Sequence, residues 1–389
     1  MLSTQSLPII EATLPLVGER MPAIAKNFYG RLFTAHPELF DGLFSRSNQK
    51  NGTQQQALAG SVAGFAVHLV NNPDTFPEVM LSRIAHKHVS LGIRPEQYEV
   101  VYTHLFGAIA EELSDVVTAE IAAAWTEVYW LMAHALIKLE NGLYAGAASD
   151  QPWAPWIVVG REPAGTDAVT FTLEPADSTP VTLARPGQYV SVKVEMPDGI
   201  HQVRQYSLSA STGSAATRVF TTKLDADGEV SPALHAGVQV GDRLILSNPC
   251  GDIALSGDDG PLVLASAGIG CTPSASILRW LAEAESSREV LVLHAESKLE
   301  RWALAAQMRG DVALLEAAEL ELWLETPADG AHDGFMSLDG VDLPKNASLY
   351  LCGPLAFMQK IRSEALASGV PAERIHYEIF GPDLWLAGV

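Results

Sequence analysis

The spacing of apolar residues changes twice along this chain, and those two changes limit what it can fold into. Up to residue 146 the period is helical. Leu14, Val17, Met21, Ile24, Phe28 and Leu32 recur three and four apart, which is one face of a helix. Asp74, Ser82, Pro95 and Ser114 stand where N-caps or first helical turns are expected. Residues 145–155 (Ala-Gly-Ala-Ala-Ser-Asp-Gln-Pro-Trp-Ala-Pro) are small and polar and read as a linker. From Trp156 the period shortens. Trp156–Val159, Ala168–Leu173, Gln188–Val194 and Arg243–Leu246 are β-rich runs separated by turns at Pro186-Gly187, Pro197-Asp198-Gly199 and Asp227-Gly228. That pattern predicts an antiparallel barrel. From Pro261 strands and helices alternate: strand Leu262–Ser266, helix Ser274–Ala284, strand Val290–His294, a helix around Arg301–Met308, strand Ser348–Cys352 and helix Leu355–Ser368. Alternation of this kind predicts a parallel α/β sheet. The expected architecture is multidomain: an all-α domain over 1–146, an antiparallel β-barrel over 152–258 and a parallel-sheet α/β domain over 260–389.

Composition removes several function classes. Apolar types make up 48% of the chain and charged types 18%, which excludes a disordered or fibrous protein. The formal charge of −21 is spread along the chain with no acidic tail. Such a surface repels phosphate backbones and anionic lipid, so nucleic acid and membrane surfaces are not expected partners. Cys250, Cys271 and Cys352 are odd in number and far apart, so no disulfide framework is expected. No CxxC is present, which removes structural zinc, ferredoxin-type iron–sulfur clusters and a covalent haem link. The start, Met-Leu-Ser-Thr-Gln, has no signal-peptide character, and Ile121–Leu139 carries Glu127, His134 and Lys138, so it predicts a buried helix and not a membrane span. A reducing, cytoplasmic location is the expectation.

The strongest local motif is Leu262-Val-Leu-Ala-Ser-Ala-Gly-Ile-Gly-Cys-Thr-Pro273. A buried strand runs into a glycine turn that opens a helix. Gly268 and Gly270 let backbone N–H groups approach an anion there. The sixth position is Pro273, where the ordinary dinucleotide fingerprint has Gly. Two barrel segments add to it: Arg185-Pro-Gly-Gln-Tyr-Val190 and Arg204-Gln-Tyr-Ser-Leu-Ser209. Arg204 can grip a pyrophosphate bidentately, and Tyr206 and Ser207 can stack on and donate to a flavin ring. Each taken singly is also an ordinary strand aromatic or surface arginine. Together, in the order Arg204–Ser207, Gly268–Pro273 and Cys352-Gly353-Pro354, they resemble the R-x-Y-S, G-x-G-x-x-P and C-G-P pattern of the ferredoxin–NADP reductase superfamily over residues 152–389. Asp227–Ser231, Gly251-Asp252-Ile253 (Ile in place of Phe) and Tyr377–Pro382 fit the same pattern. The resemblance implies FAD held by Tyr189, Arg204, Gln205, Tyr206, Ser207, Gly228, Val230, Ser231, Glu378, Phe380, Gly381 and Pro382. Phe380 is expected to stack on the flavin, with Glu378 near the hydride-transfer site. It implies NAD(P)H on Gly268, Ile269, Gly270, Cys271, Thr272, Pro273, Cys352, Gly353 and Pro354.

The first 146 residues resemble a globin. Asn27–Phe33, His36-Pro-Glu-Leu39, Ser47–Leu58, His86-Lys-His88 and Arg94–Tyr98 keep the order and spacing of a bacterial flavohaemoglobin, and with the reductase half the whole chain resembles that family. His86 and His88 are two apart on a helix and point about 200° apart, so only one can face a haem. The resemblance selects His88 as the iron ligand of a haem b and leaves His86 exposed. It places Tyr98 and Glu140 behind His88, where a carboxylate bonded to the imidazole strengthens its donation to iron. Taken alone, Glu140 reads as a solvated helix-end charge. On the distal side the resemblance gives Tyr29 as hydrogen-bond donor to O2, with Gln54 beside it and Leu58 packed over the ligand. Phe28 and Phe44 line the haem, with Phe40 the alternative to Phe44. Lys87 lies on the surface or at a propionate.

The resemblance implies a nitric oxide dioxygenase: NAD(P)H + 2 NO + 2 O2 gives two nitrates through FAD and haem, with NO detoxification as the role. An NAD(P)H oxidase or alkyl hydroperoxide reductase on the same modules, and an O2- or NO-binding sensor globin, are the alternatives. The partners it implies are O2 and NO and a lipid or azole-type ligand in the distal pocket, and the family leans to monomers.

Overall fold

The computed structural model describes residues 1–210, 217–253, 255 and 259–381. The chain forms two units, one made of Met1–Pro152 with Glu195–Val203, the other of Trp153–Val194 and Arg204–Phe380.

The first unit is helical: α1 (Ser6–Ala35), α2 (Arg46–Lys50), α3 (Thr53–Asn71), α4 (Glu78–Leu91), α5 (Glu96–Glu112) and α6 (Ala119–Ala145). The expected stripe on α1 is inside: Val17, Met21, Ile24, Phe28 and Leu32 are buried, joined by Ile10. Pro15 and Pro22 lie within α1 on its exposed side. There the carbonyls that lose an N–H partner can turn to water. Helix α1 packs on α3, α5 and α6, and α4 packs on α6. Of the four expected helix starts, Pro95 precedes α5, but Ser82 lies within α4, and Asp74 and Ser114 lie in turns. The actual starts have other causes. Pro77 precedes α4, and Thr118 caps α6 by accepting from the Ile121 N–H at 3.3 Å.

The second unit opens with a closed antiparallel barrel of β1 (Trp153–Pro163), β2 (Ala168–Pro175), β3 (Tyr189–Glu195), β4 (His201–Ala210), β5 (Arg218–Lys223) and β6 (Arg243–Ser247), ordered β1-β2-β5-β4-β3-β6. Strand β1 begins at Trp153, inside the expected linker. Pro155 is tolerated in it, and its carbonyl accepts from the Ala176 N–H at 3.0 Å. Helix α7 (Val230–Gly237) was not expected; it buries Val230 and Leu234, one helical turn apart.

A parallel sheet follows: β7 (Leu262–Ala267), α8 (Cys271–Glu283), β8 (Val290–Glu296), α9 (Ala305–Leu314), β9 (Ala318–Leu324), the two-residue β10 (His332–Asp333), β11 (Ser348–Cys352), α10 (Leu355–Ala367) and β12 (Ile375–Glu378). Its order is β10-β9-β8-β7-β11-β12. The chain leaves β7 toward β8 on one side and returns to β11 on the other. The carboxyl ends of β7 and β11 therefore form the switch point where open α/β sheets bind ligands. Helix α8 starts three residues before the expected Ser274, because the glycine turn leads straight into it. Helix α9 starts after Arg301, because Leu299–Arg301 closes a separate 3₁₀ turn and Leu304 adopts φ +63°.

One histidine sits entirely within this sheet. His294 is fully buried, stacks on Trp302 at 4.8 Å, and its Nδ1 shares a 2.9 Å hydrogen bond with Ser266 Oγ. Burial pushes its imidazole down to about 3. The folded pKa lies below the unfolded one, so the unfolded chain takes the proton first. His294 therefore contributes stability above about pH 6.5 that is lost as pH falls toward 3. Thermal melting between pH 7 and 4 is expected to show a steeper loss of stability in the native protein than in His294→Asn. Parallel curves would remove His294 as a cause.

Candidate functional site

In the helical unit three side chains from three helices meet. His88 on α4 shares its Nδ1 with Glu140 Oε1 at 2.8 Å and with the Tyr98 hydroxyl at 3.0 Å. The Tyr98 hydroxyl donates to the same Glu140 oxygen at 2.5 Å. Glu140 on α6 is only 1% exposed. It is not the solvated end charge its position suggests. Burial first, and then the Glu140 charge, push the Tyr98 phenol up, so Tyr98 stays a neutral donor.

Local structure sets this geometry. Helix α4 ends in a Schellman arrangement: Gly92 takes φ +80°, its N–H reaches the Val89 carbonyl, and the Ile93 N–H reaches the His88 carbonyl at 3.0 Å. The Tyr144 hydroxyl then donates to the Ile93 carbonyl at 2.7 Å. With Nδ1 committed to Glu140 and Tyr98, Nε2 is the ring nitrogen left to face a metal, and the half-exposed side chain (31%) leaves it reachable. Lys87 is half-buried beside it. One expectation is corrected: His86 is not exposed but 8% accessible. Helix α4 buries residues on both of its flanks (Leu81, Ala85 and Val89 on one, His86 and Ser90 on the other), so pointing away from His88 does not mean pointing to water.

A second cluster gathers around Tyr29 on α1. Its ring lies 4.7 Å from Phe28, 5.6 Å from Phe33 and 5.9 Å from Phe44. Phe40 stacks on Phe33 and does not contact the Tyr29 ring through any of these pairs. Gln54 on α3 lies near the Tyr29 hydroxyl. Burial drives that phenol up, and the Gln54 side chain works against the rise. Leu58, one turn beyond Gln54 on α3, packs against the same core.

In the barrel, the expected Arg204–Ser207 run lies on β4. Gln205 Nε2 donates to Ser191 Oγ at 3.0 Å, and Tyr206 stacks on Phe220 at 5.3 Å. Ser191 and Phe220 are partners that sequence reasoning missed; the apolar alternation of β5 was the available signal for Phe220. Burial pushes the Tyr206 phenol up to about 12 and lowers the Arg204 guanidinium, against the opposing charges of Tyr206, Glu229 and Asp225. Those acids place Arg204 beside the Asp225–Ser231 turn. That turn is tied by Gly228 N–H to the Asp225 carbonyl at 3.1 Å and by Asp225 N–H to Ser231 Oγ at 2.9 Å. Val230 is buried at the start of α7. Tyr189 is buried at the start of β3 against Gly251. Ser207 Oγ is buried with no hydrogen-bond partner among the described residues. A dry, unsatisfied hydroxyl on this strand fits a site that a polar ligand completes.

At the switch point, Gly268, Ile269 and Gly270 make one 3₁₀ turn, and Cys271, Thr272 and Pro273 open α8. A Cβ on Gly270 would lie 2.3 Å from the Cys352 carbonyl oxygen. Only glycine lets the turn and the Cys352-Gly353-Pro354 end of β11 close together. Cys352 pairs in register with Glu378 of β12. Burial holds the Cys271 and Cys352 thiols well above their ordinary range, so neither is a nucleophile. Phe380 is 46% exposed and Gly381 takes φ +121°. Pro382 lies outside the described residues.

Comparison with known proteins agrees with this division. Residues 26–136 match the globin family and residues 157–255 the oxidoreductase FAD-binding domain family. A helical globin joined to a reductase of this kind defines a two-part oxidoreductase. The chain is 39% identical to a flavohemoprotein of Chromobacterium violaceum, covering 98% of both chains. It is 43% identical to the crystal structure of a flavohemoglobin from Malassezia yamatoensis with bound FAD and heme, with TM-score 0.94 over 98% of this chain and 100% of that one. The FAD/NAD-binding domain of a nitric oxide dioxygenase from Vibrio cholerae matches at 34% identity and TM-score 0.56, covering 60% of this chain and 100% of that one. This chain belongs to the flavohemoprotein family.

Replacing Gly270 by Ala is expected to part the turn from β11. The cost is about 1–3 kcal/mol of stability, as for other overpacked contacts, together with weaker nicotinamide-nucleotide binding. Differential scanning calorimetry and nucleotide titration read the two effects. An unchanged melting temperature would disprove the contact.

Proposed function

We propose that this chain is a nitric oxide dioxygenase, consuming NAD(P)H, O2 and NO to form nitrate and so removing NO. Family membership and the His88–Glu140–Tyr98 cluster support the reading, and the cluster is the observation that carries it. Residues 1–146 would hold haem b, 152–258 FAD and 260–389 NAD(P)H. Among the described residues no helix is long and apolar enough to cross a membrane, and the working location we infer is the cytoplasm, as a monomer.

His88 Nε2 would ligate the iron. Arg204 and the Asp225–Ser231 turn would hold the flavin phosphates, and Tyr206 and Ser207 its ring. The Gly268–Pro273 turn and Cys352-Gly353-Pro354 would hold the nucleotide. When bound, FAD accepts a hydride and releases single electrons, and ferrous haem binds O2. The chain's own residues then supply three things. Glu140 accepts the His88 Nδ1 proton's hydrogen bond and gives the imidazole anionic character. Tyr98 fills the remaining approach to the same carboxylate oxygen, which fixes the ring plane. Tyr29, kept protonated by burial, would offer its O–H as a donor on the distal side, with Gln54 beside it. The aromatic wall of Phe28, Phe33 and Phe44 excludes water and admits small apolar NO; the same apolar wall suits a lipid or azole-type ligand.

The assignment predicts nitrate in stoichiometric yield, dependent on both O2 and NAD(P)H. Superoxide or alcohol as main product would favour an oxidase or hydroperoxide reductase, and binding without turnover a sensor. Two variants separate the two sides of the haem. Tyr29→Phe is expected to speed O2 dissociation and to cut NO turnover by about 10²-fold, the scale of losing one preorganised donor. Unchanged turnover would remove Tyr29 from the chemistry. Glu140→Gln is expected to lower the iron–histidine stretching frequency in resonance Raman spectra. An unshifted band would mean the carboxylate does not polarise His88.

A further inference from the structure

Residues 195–203 connect two barrel strands, yet they pack with the helical unit. They meet the segment between α1 and α2, which carries Phe44. That segment has little helical support of its own beyond the short turn Pro37–Phe40. Within itself it keeps the Asp41 N–H bond to the Glu38 carbonyl at 3.0 Å and the Phe44 N–H bond to the Leu39 carbonyl at 3.2 Å, and further bonds run to residues about 150 positions later. The Gly42 N–H donates to the His201 carbonyl at 2.9 Å, and the His201 N–H donates to Asp41 Oδ1 at 2.8 Å. The Arg46 N–H donates to Gln202 Oε1 at 3.1 Å, and Gln202 is fully buried. The Arg46 guanidinium grips both oxygens of Asp198, at 2.7 and 3.1 Å.

We propose that Asp198, His201 and Gln202 are positioning residues for the distal face of the haem pocket, acting through Phe44 on Tyr29. The physical case is one of leverage. Phe44 stands between Gly42 and Arg46, both tied to the later segment, and its ring meets Tyr29 edge-on at 5.9 Å and Phe33 at 5.2 Å. A shift of a few tenths of an ångström in the 41–46 backbone therefore reaches the Tyr29 ring directly. A lone exposed ion pair contributes little. Here one bidentate pair stands in a row with three bonds from backbone N–H groups, one of them to a buried amide, which is the setting in which a charged pair holds geometry. Asp198, His201 and Gln202, which belong to the helical unit, thus take part in shaping its pocket.

The inference rests on Tyr29 and Phe44 forming the distal face, so the experiment carries Tyr29→Phe as its reference. Holoprotein is reduced with dithionite, which bypasses flavin and nucleotide, and O2 dissociation is followed by displacement with CO. Arg46→Ala and Asp198→Ala are expected to speed dissociation by about threefold to tenfold, the range of one lost coupling between neighbouring groups. The charge exchange Arg46→Asp with Asp198→Arg is expected to return the rate to within about twofold of native, as coupling through one pair requires. Both partners are partly exposed, 30% and 47%, so folding is expected to survive. The Soret absorbance per chain checks it, and the exchange variant separates a geometric effect from general loosening. Native rates in both single variants, with Tyr29→Phe fast, overturn the proposal. Fast singles with no recovery in the exchange also overturn it. A native rate in Tyr29→Phe overturns the distal assignment itself, and this inference falls with it.

Discussion

A carboxylate that is 1% exposed in a helical core needs donors, and Glu140 Oε1 has two, from two other helices, while Oε2 has none among the described residues. That demand organises the functional half of the helical unit. It fixes which nitrogen of His88 faces inward. It draws Tyr98 into the core, where the Tyr129 hydroxyl anchors its carbonyl at 2.6 Å. It gives the Schellman end of α4 a purpose, because the His88 backbone must stay put for the carboxylate to be shared. A buried carboxylate is costly to desolvate, and an apolar residue of similar size at position 140 would serve the core at least as well. The pair is better explained by the orientation it imposes on one imidazole than by stability.

The second unit depends on a steric constraint instead. The approach of Gly270 to the Cys352 carbonyl leaves no room for a side chain. Two tripeptides far apart in the chain, one a glycine turn and one Cys-Gly-Pro, are thus two faces of a single contact. Thiol chemistry has no part in it, since both nearby cysteines are buried and held protonated.

These two constraints were not equally legible in the sequence. The glycine turn, the Arg204–Ser207 run and strand Ser348–Cys352 stand out because each is a contiguous string whose chemistry is local. Glu140 does not stand out, since its donors lie 42 and 52 residues away. Only the family resemblance pointed to it. His86 was misread for a related reason: helical period tells which way a side chain points but not what lies there. Helix α7 was hidden by Pro232 and Gly237, and the start of α6 by a Ser114 with the right chemistry in the wrong turn, four residues ahead of the Thr118 that caps it. Ser191 and Phe220 contribute through cross-strand neighbours, which no single segment reveals.

The polar atoms of the site divide into two kinds, and the division carries physical meaning. Glu140 Oε1, Gln205 Nε2 and Ser231 Oγ are satisfied inside the protein and hold other groups still. Ser207 Oγ is buried and unsatisfied, Arg204 is desolvated, and the Tyr29 side chain is buried among aromatic rings. Keeping such groups dry costs free energy in the folded chain, and a ligand that bonds them offsets that cost. An orphaned buried atom alone does not mark a site, because Ser276 Oγ and Trp302 Nε1 are orphaned too. Ser207 differs in standing within a run of side chains on one strand that are all suited to the same planar, phosphate-bearing molecule. It is this convergence of chemistry, added to the unmet hydrogen bond, that supports the proposal that this strand holds the flavin.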